Sequence, residues 1–150
     1  MIVSSNTPAA TSALRSFLSM CGVSLPVDEE FRAIGRLNAD SALCAVVGYN
    51  GFCGRVCMMH VAGVGNWMTR EFLWAAFDYP FNQAGLVQVF GCTPQNNPRA
   101  LKLEKHLGFK TLATIPDGWA EGVDLVLQTM HKSECRWLGL KNARLDRKAA

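Results

Sequence analysis

No apolar run in the chain approaches the ~18–20 residues that a membrane-spanning helix needs, so a helical membrane anchor is not expected. The opening segment "MIVSSNTPAATSALRSFL" lacks the basic start and continuous apolar stretch of a secretory leader. A cytoplasmic protein is the expectation. The six cysteines (21, 44, 53, 57, 92 and 135) contain no CxxC pair and no zinc-finger spacing, so no metal site is expected. Small buried thiols in a reducing compartment account for them. If Asn50-Gly51 makes a two-residue turn, Cys44 and Cys57 face each other across the hairpin. Internal repeats and low-complexity segments are also missing, so 150 residues read as one domain. A chain of that size buries roughly two-thirds of its unfolded surface.

What is present is a globular mixture, 49% hydrophobic and 18% charged, with a lopsided charge. From His131 onward six Lys/Arg (132, 136, 141, 144, 147, 148) outweigh Glu134 and Asp146, a net +4 against +3 for the whole chain. The boundaries expected are a single domain over 1–137 and a basic tail over 138–150. Such a tail attracts nucleic acid or an acidic protein, or is simply a solvated terminus. No RNA- or DNA-binding motif accompanies the charge, so a nucleic-acid partner is not expected.

"NTPAATSALRSFLSMCG" carries both ends of a helix: Thr7 to cap, Pro8 for the first position, Gly22 to stop it. Leu14, Phe17, Leu18 and Cys21 supply its apolar stripe. Apolar runs then predict strands near 31–37, 42–49 and 55–62, the last two flanking Asn-Gly, a strong hairpin signal. A helical face follows within "VGNWMTREFLWAAFDYPFNQAG", kinked by Pro80 and ended by Gly85. "LVQVFGCT" reads as a buried strand. "NNPRALKLEKHLGF" (96–109) reads as a capped helix with Ala100, Leu103 and Leu107 on one face and Gly108 at its end. The last elements are "FKTLATI", a turn-like "PDGWAEG" (116–122) and "VDLVLQTMH".

The ordered set of motifs resembles the GNAT-superfamily N-acyltransferases. It rests on "LVQVFGCTPQNNPRALKLEKHLGFKTL", on "DYPF" (78–81), and on Asp124 with Glu134 ten residues later. The closest branch is that of the ribosomal-protein N-terminal acetyltransferases, and the match covers roughly 31–137. It implies an α+β (mixed α/β) fold, a central, mostly antiparallel, twisted sheet of about six to seven strands flanked by helices. It also implies direct transfer of acetyl from acetyl-CoA to a primary amine of a protein, peptide or small molecule. Acetyl-CoA would be a co-substrate, and a homodimer is a possible assembly. The other reading is a non-catalytic, protein-binding module that keeps the fold.

The resemblance assigns Asn97, at the opening of the helix, to the pantetheine arm of CoA, with Asn96 as a nearby alternative. Val61 and Ala62 are placed where backbone N–H groups meet the attacked carbonyl, at a splay between two strands. The phosphates fall to the turn Gly65, Asn66, Trp67, Met68, Thr69 and Arg70. A helix start suits an anion there, and a cation in the first turn is itself unfavourable unless an anion compensates it; the alternative is that Arg70 points to solvent while Glu71 satisfies the dipole. The family expects small residues where Trp67 and Thr69 stand. It also often has a tyrosine where this chain has Glu104, and the serine of the ribosomal-type branch is Ala100 here.

The amine must attack uncharged. At pH 7 only about one lysine amine in ~2,500 is neutral, against roughly one α-amine in ten, so a site without a strong base favours weakly basic amines. His60 is the candidate base, its alternative being a satisfied core histidine. Glu104 is the candidate acid/base, its alternative being an exposed helix glutamate. Acceptor recognition falls to the first helix and to Asp117, Trp119 and Glu121 in the 116–122 segment, the alternative being a surface turn with one packed tryptophan.

Overall fold

The computed structural model describes residues 1–23, 25 and 30–140. Residues 141–150 lie outside these, and with them Lys141, Arg144, Arg147 and Lys148 of the expected basic tail. Seven strands form one sheet: β1 (Ile2–Ser4), β2 (Arg32–Leu37), β3 (Leu43–Cys53), β4 (Val56–Gly63), β5 (Gln88–Pro94), β6 (Lys110–Ala120) and β7 (Val123–His131). Among the described residues three α-helices accompany them: α1 (Pro8–Met20), α2 (Arg70–Asp78) and α3 (Pro98–Leu107). The spatial order is β1-β2-β3-β4-β5-β7-β6, antiparallel throughout except where β4 runs parallel to β5. β1 was not expected, because three residues are too few to show a period.

The sheet separates two apolar cores. Leu14, Phe17 and Leu18 of α1 pack on Phe31, Ala33, Val46 and Ala62 on one face. On the other face α2 and α3 pack Phe72, Phe77 and Leu107 against Val47, Tyr49, Met59 and Val89. This division follows from the period-2 alternation of β3 and β4, whose neighbouring side chains serve opposite cores.

The helix ends follow their signals. Thr7 accepts a bond from Ala10 N, Thr69 from Phe72 N, and Asn97 from Ala100 N, each side-chain oxygen closing one orphan N–H of the first turn. Gly108 adopts φ 104° and terminates α3 in the left-handed region that its lack of a Cβ permits. Two carbonyls at the same end receive side chains from the C-terminal segment. Trp137 Nε1 donates to Leu107 O at 2.7 Å, and Arg136 donates to His106 O.

Three local expectations are corrected. The β3–β4 turn falls at Gly54-Arg55, since Cys53 pairs with Val56 while Asn50 pairs with Met58 inside the ladder. Asn50 is drawn in because its side chain has a buried partner, described below; Gly51, at φ +57°, takes up the resulting register shift. Cys44 and Cys57 are therefore not opposite one another, although both are buried. Pro80 does not merely kink α2: Tyr79–Gln83 widens into a π-helical turn, with Ala84 N bonded to Tyr79 O, which absorbs the missing proline donor. Finally, the 116–122 segment is mostly strand. β6 runs to Ala120 through a bulge where Asp117 takes φ 53°, and the turn is confined to residues 121–122.

Candidate active site

β4 and β5 are paired only from Val56↔Gln88 to Met58↔Phe90. Beyond that point the strands part, and a cavity of ≈ 370 Å³ occupies the opening. β4 contributes Met58 to Val61, β5 Gly91 to Pro94, and α3 Asn97, Ala100, Leu103, Glu104 and Leu107. Val23, just past α1, and Trp119, on the β6–β7 hairpin, also reach it. The sheet thus interrupts itself where an elongated ligand can pass between two strands.

Backbone polarity at the splay follows from the ladder. Val64 N donates to Cys44 O, and the register runs unbroken through Ala62↔Val46. Hydrogen-bonded pairs alternate in an antiparallel ladder, so the Ala62 N–H is spent on β3 while the Val61 N–H points away from it, into the opening. Of the two amides assigned to the carbonyl, Val61 is placed for the role. Ala62 is not: its side chain also lies in the α1 core.

Glu104 projects from α3 towards β5. Its Oε1 accepts the Thr93 hydroxyl at 2.6 Å, while Oε2 is buried with no hydrogen-bond partner. Gly91 leaves the room: a Cβ there would stand 3.0 Å from Oε1. Burial raises the carboxyl pKa, and the Thr93 bond works against that rise. A buried acceptor without a donor is costly, so the geometry calls for either a proton on Glu104 or a ligand N–H beside it. Glu104 is thus no exposed helix glutamate.

His60 lies on the opposite face of the sheet and reaches the same cavity. Its Nε2 stands 2.8 Å from Asn50 Oδ1, and Asn50 is only 3% exposed. Burial pushes the imidazole pKa down to about 4. The ring is therefore neutral at pH 7, as a proton acceptor must be, but its affinity for a proton is far below that of an ordinary histidine. With Nε2–H donating to Asn50, the Nδ1 lone pair is the free one.

The β4–α2 turn is built differently. Trp67 is 6% exposed; it packs edge-on to Phe72 and covers Gly63, where a Cβ would fall 2.5 Å from the indole. Its side chain cannot be a cofactor contact, because the core has taken it. Thr69 serves as the α2 cap. Gly65 has φ +65°, the Asn66 carbonyl accepts from Arg36 at 3.4 Å, and Gly65, Asn66, Met68 and Arg70 are all exposed. The turn therefore presents the free first-turn N–H groups of α2, with the cation of Arg70 and the carboxylate of Glu71 both beside them. None of these residues lines the splay cavity.

On the acceptor side Trp119 lines the cavity, but Asp117 and Glu121 do not. Asp117 Oδ1 accepts from Gly122 N, and its own N–H donates to Asp124 Oδ1, so this carboxylate shapes the hairpin. Glu121 is exposed in the turn. Residues that sequence reasoning did not place in the site include Thr93, Cys92, Asn50 and Met59. Asn50 was singled out only as a turn residue, and Cys92 only as one of the small buried thiols. The others occupy ordinary strand positions, and nothing in their spacing distinguishes them.

No family model matches the chain, and no curated protein matches it. Solved structures do. The spermidine N-acetyltransferase SpeG of Vibrio cholerae, in complex with CoA and spermine, superposes with a TM-score of 0.68 at 14% identity, covering 89% of this chain and 96% of that one. Its dodecameric structure in an intermediate state gives 0.68 and 14% over 89% and 94%. Another structure of this enzyme, with manganese ions, gives 0.69 and 15% over 89% and 92%. The chain has the GNAT fold. Its seven-stranded, mostly antiparallel sheet with flanking helices is the α+β architecture the resemblance implied. The GNAT neighbours named here are polyamine enzymes, and they lend nothing to the ribosomal-protein branch in particular. Among the described residues, no helix is long and apolar enough to cross a membrane.

Proposed function

We propose that the chain is an acetyl-CoA-dependent N-acetyltransferase that acetylates a primary amine directly. The observation that carries this is the splay cavity: two strands part beyond Met58↔Phe90, and Glu104 faces the gap with one carboxylate oxygen unpaired. The residues present fit the co-substrate. The α2 N-terminus with Arg70 would hold its pyrophosphate, the parted strands with Asn97 its pantetheine arm, and the acetyl thioester supplies an activated acyl group.

This chain's own groups then do four things. The Val61 N–H meets the negative charge that grows on the carbonyl oxygen. Met58, Met59, Leu103 and Leu107 keep bulk water out, which strengthens each polar contact. Glu104 takes the proton released as the amine attacks, its raised pKa matching it to that task better than an ordinary carboxylate. His60, held neutral by burial and by Asn50, is the lesser base and positions the acceptor through Nδ1. The burial of Trp67 also weakens the reading of a non-catalytic module, since its bulk is turned away from the exposed face of the turn. Free thiols throughout the described residues accord with a cytoplasmic location. A homodimer remains part of the proposal.

Calorimetric titration of the folded, CoA-free protein with acetyl-CoA tests the reading. Micromolar binding is expected. An absence of heat up to millimolar acetyl-CoA would sink it.

A further inference from the structure

We propose that the acceptor is a primary amine carrying no carboxylate near its amino group, an arylalkylamine or α-amide rather than a free amino acid. This rests on the acetyl-transfer reading and names the substrate class for that site. Among the described residues that line the cavity there is one carboxylate, Glu104, and no lysine or arginine. The segments that reach the cavity from the acceptor side extend the pattern. Between Lys110 and His131 the chain has Asp117, Glu121 and Asp124 and no basic residue. Gly22 and Val23, which line it past α1, bring no charge either.

An α-amino acid carries its carboxylate on the carbon next to the amine. With the amine at Glu104, that second carboxylate would sit a few ångströms from the first, in a space lined by no lysine or arginine among the described residues. Two like charges at such a distance repel strongly, and each has lost its water. An amide or an unsubstituted carbon at the same position carries no such penalty. Trp119 supplies the other half of the specificity. It is 47% exposed yet lines the cavity, so its ring is free to receive an apolar or aromatic body. The chemistry balances within the site. The amine nitrogen bonds the acetyl carbon, the carbon–sulfur bond breaks, and the proton passes from nitrogen through Glu104 to the thiolate. The products are an amide and free CoA thiol.

The test compares phenylethylamine, phenylalaninamide and phenylalanine as acceptors for the intact chain, after acetyl-CoA binding has been established by calorimetry. The amine and the amide should be acetylated, with kcat/KM for phenylalanine about a hundredfold lower. Glu104→Gln should slow all three and shrink that discrimination to within about tenfold, because the repelling charge is gone. Trp119→Ala should raise KM for phenylethylamine about tenfold and leave KM for propylamine unchanged. Comparable acetylation of phenylalanine overturns the assignment while leaving acetyl transfer intact. So does acetyl-CoA binding with turnover of neither carboxylate-free amine. Failure to bind acetyl-CoA at all is instead the failure of the enzyme reading.

Discussion

The two ends of the proposed CoA site are built on opposite plans. At the splay, side chains from α3, β4 and β5 converge on a shared space, and the polar ones are held by second residues, Glu104 by Thr93 and His60 by Asn50. At the β4–α2 turn the largest side chain, Trp67, leaves the surface for the core, and the exposed face is left to backbone N–H groups flanked by Arg70 and Glu71. The first region is specific and costly in buried polar atoms. The second is generic, exposed and cheap. The contrast shows that a bulky residue in this turn need not occupy its exposed face, because the fold has a core position for it.

The sharpest test of that contrast is Trp67→Ala. If the indole belongs to the core, its removal should cost ~3–5 kcal/mol, as large-to-small core truncations do. Urea denaturation at a fixed temperature measures it. A loss below ~1 kcal/mol, with weakened acetyl-CoA binding, would return Trp67 to the ligand and break the comparison.

The next effect lies at the splay and is read in pH. The folded-state pKa of His60 is depressed to about 4, below the unfolded value. The unfolded chain therefore binds the proton first, and the stability that the neutral ring contributes is complete above ~6.5 and lost as pH falls towards 4. Between those limits the wild type should lose about 3 kcal/mol more than His60→Gln. Parallel stability curves for the two proteins would mean that His60 is not desolvated. Glu104 has the opposite sense: its raised carboxyl pKa favours the folded state where it is protonated, and that advantage fades as pH rises through the folded value.

Why one region was legible in the sequence and the other was not follows from how each is encoded. α3 is written locally. Asn97, Pro98 and Gly108 are a cap, a first-position proline and a left-handed stop, and each acts on its own neighbours. The seven-strand architecture was likewise approachable, since β2 to β5 carry apolar runs. By contrast, Asn50-Gly51 looked like a turn because the residue pair is compatible with one, and only the distant His60 draws Asn50 into the ladder. Trp67 and Glu104 show the same dependence. What each side chain does is decided by the cavity or gap that Gly63 and Gly91 leave on other strands. β6 was cut short at 116 because Pro116 and Gly118 read as turn residues. As an exposed edge strand it tolerates both with a bulge.

Arg70→Ala separates the ends again, with a smaller effect. Arg70 is exposed, so stability should stay within ~0.5 kcal/mol of wild type. The acetyl-CoA Kd should rise about tenfold, roughly 1.4 kcal/mol. Added salt should narrow the gap, because an exposed charge–phosphate contact is screened. An unchanged Kd would move the pyrophosphate away from α2.

The smallest effect comes from Asn97, and it asks whether a cap residue at the splay does more than cap. Its Oδ1 holds Ala100 N at 3.1 Å, so Asn97→Ala should cost about 1 kcal/mol of stability. Asn97→Ser restores an acceptor oxygen at the same place and should recover nearly all of that loss, but it cannot restore the Nδ2 donor, which takes no part in the cap. If the amide faces the pantetheine arm, the serine variant will be as stable as wild type and still bind acetyl-CoA severalfold more weakly. If affinity and stability recover together, Asn97 serves α3 alone, and the ligand contact at this corner belongs to other groups, such as the Arg99 N–H, since Pro98 has no donor and Ala100 N is held by the cap.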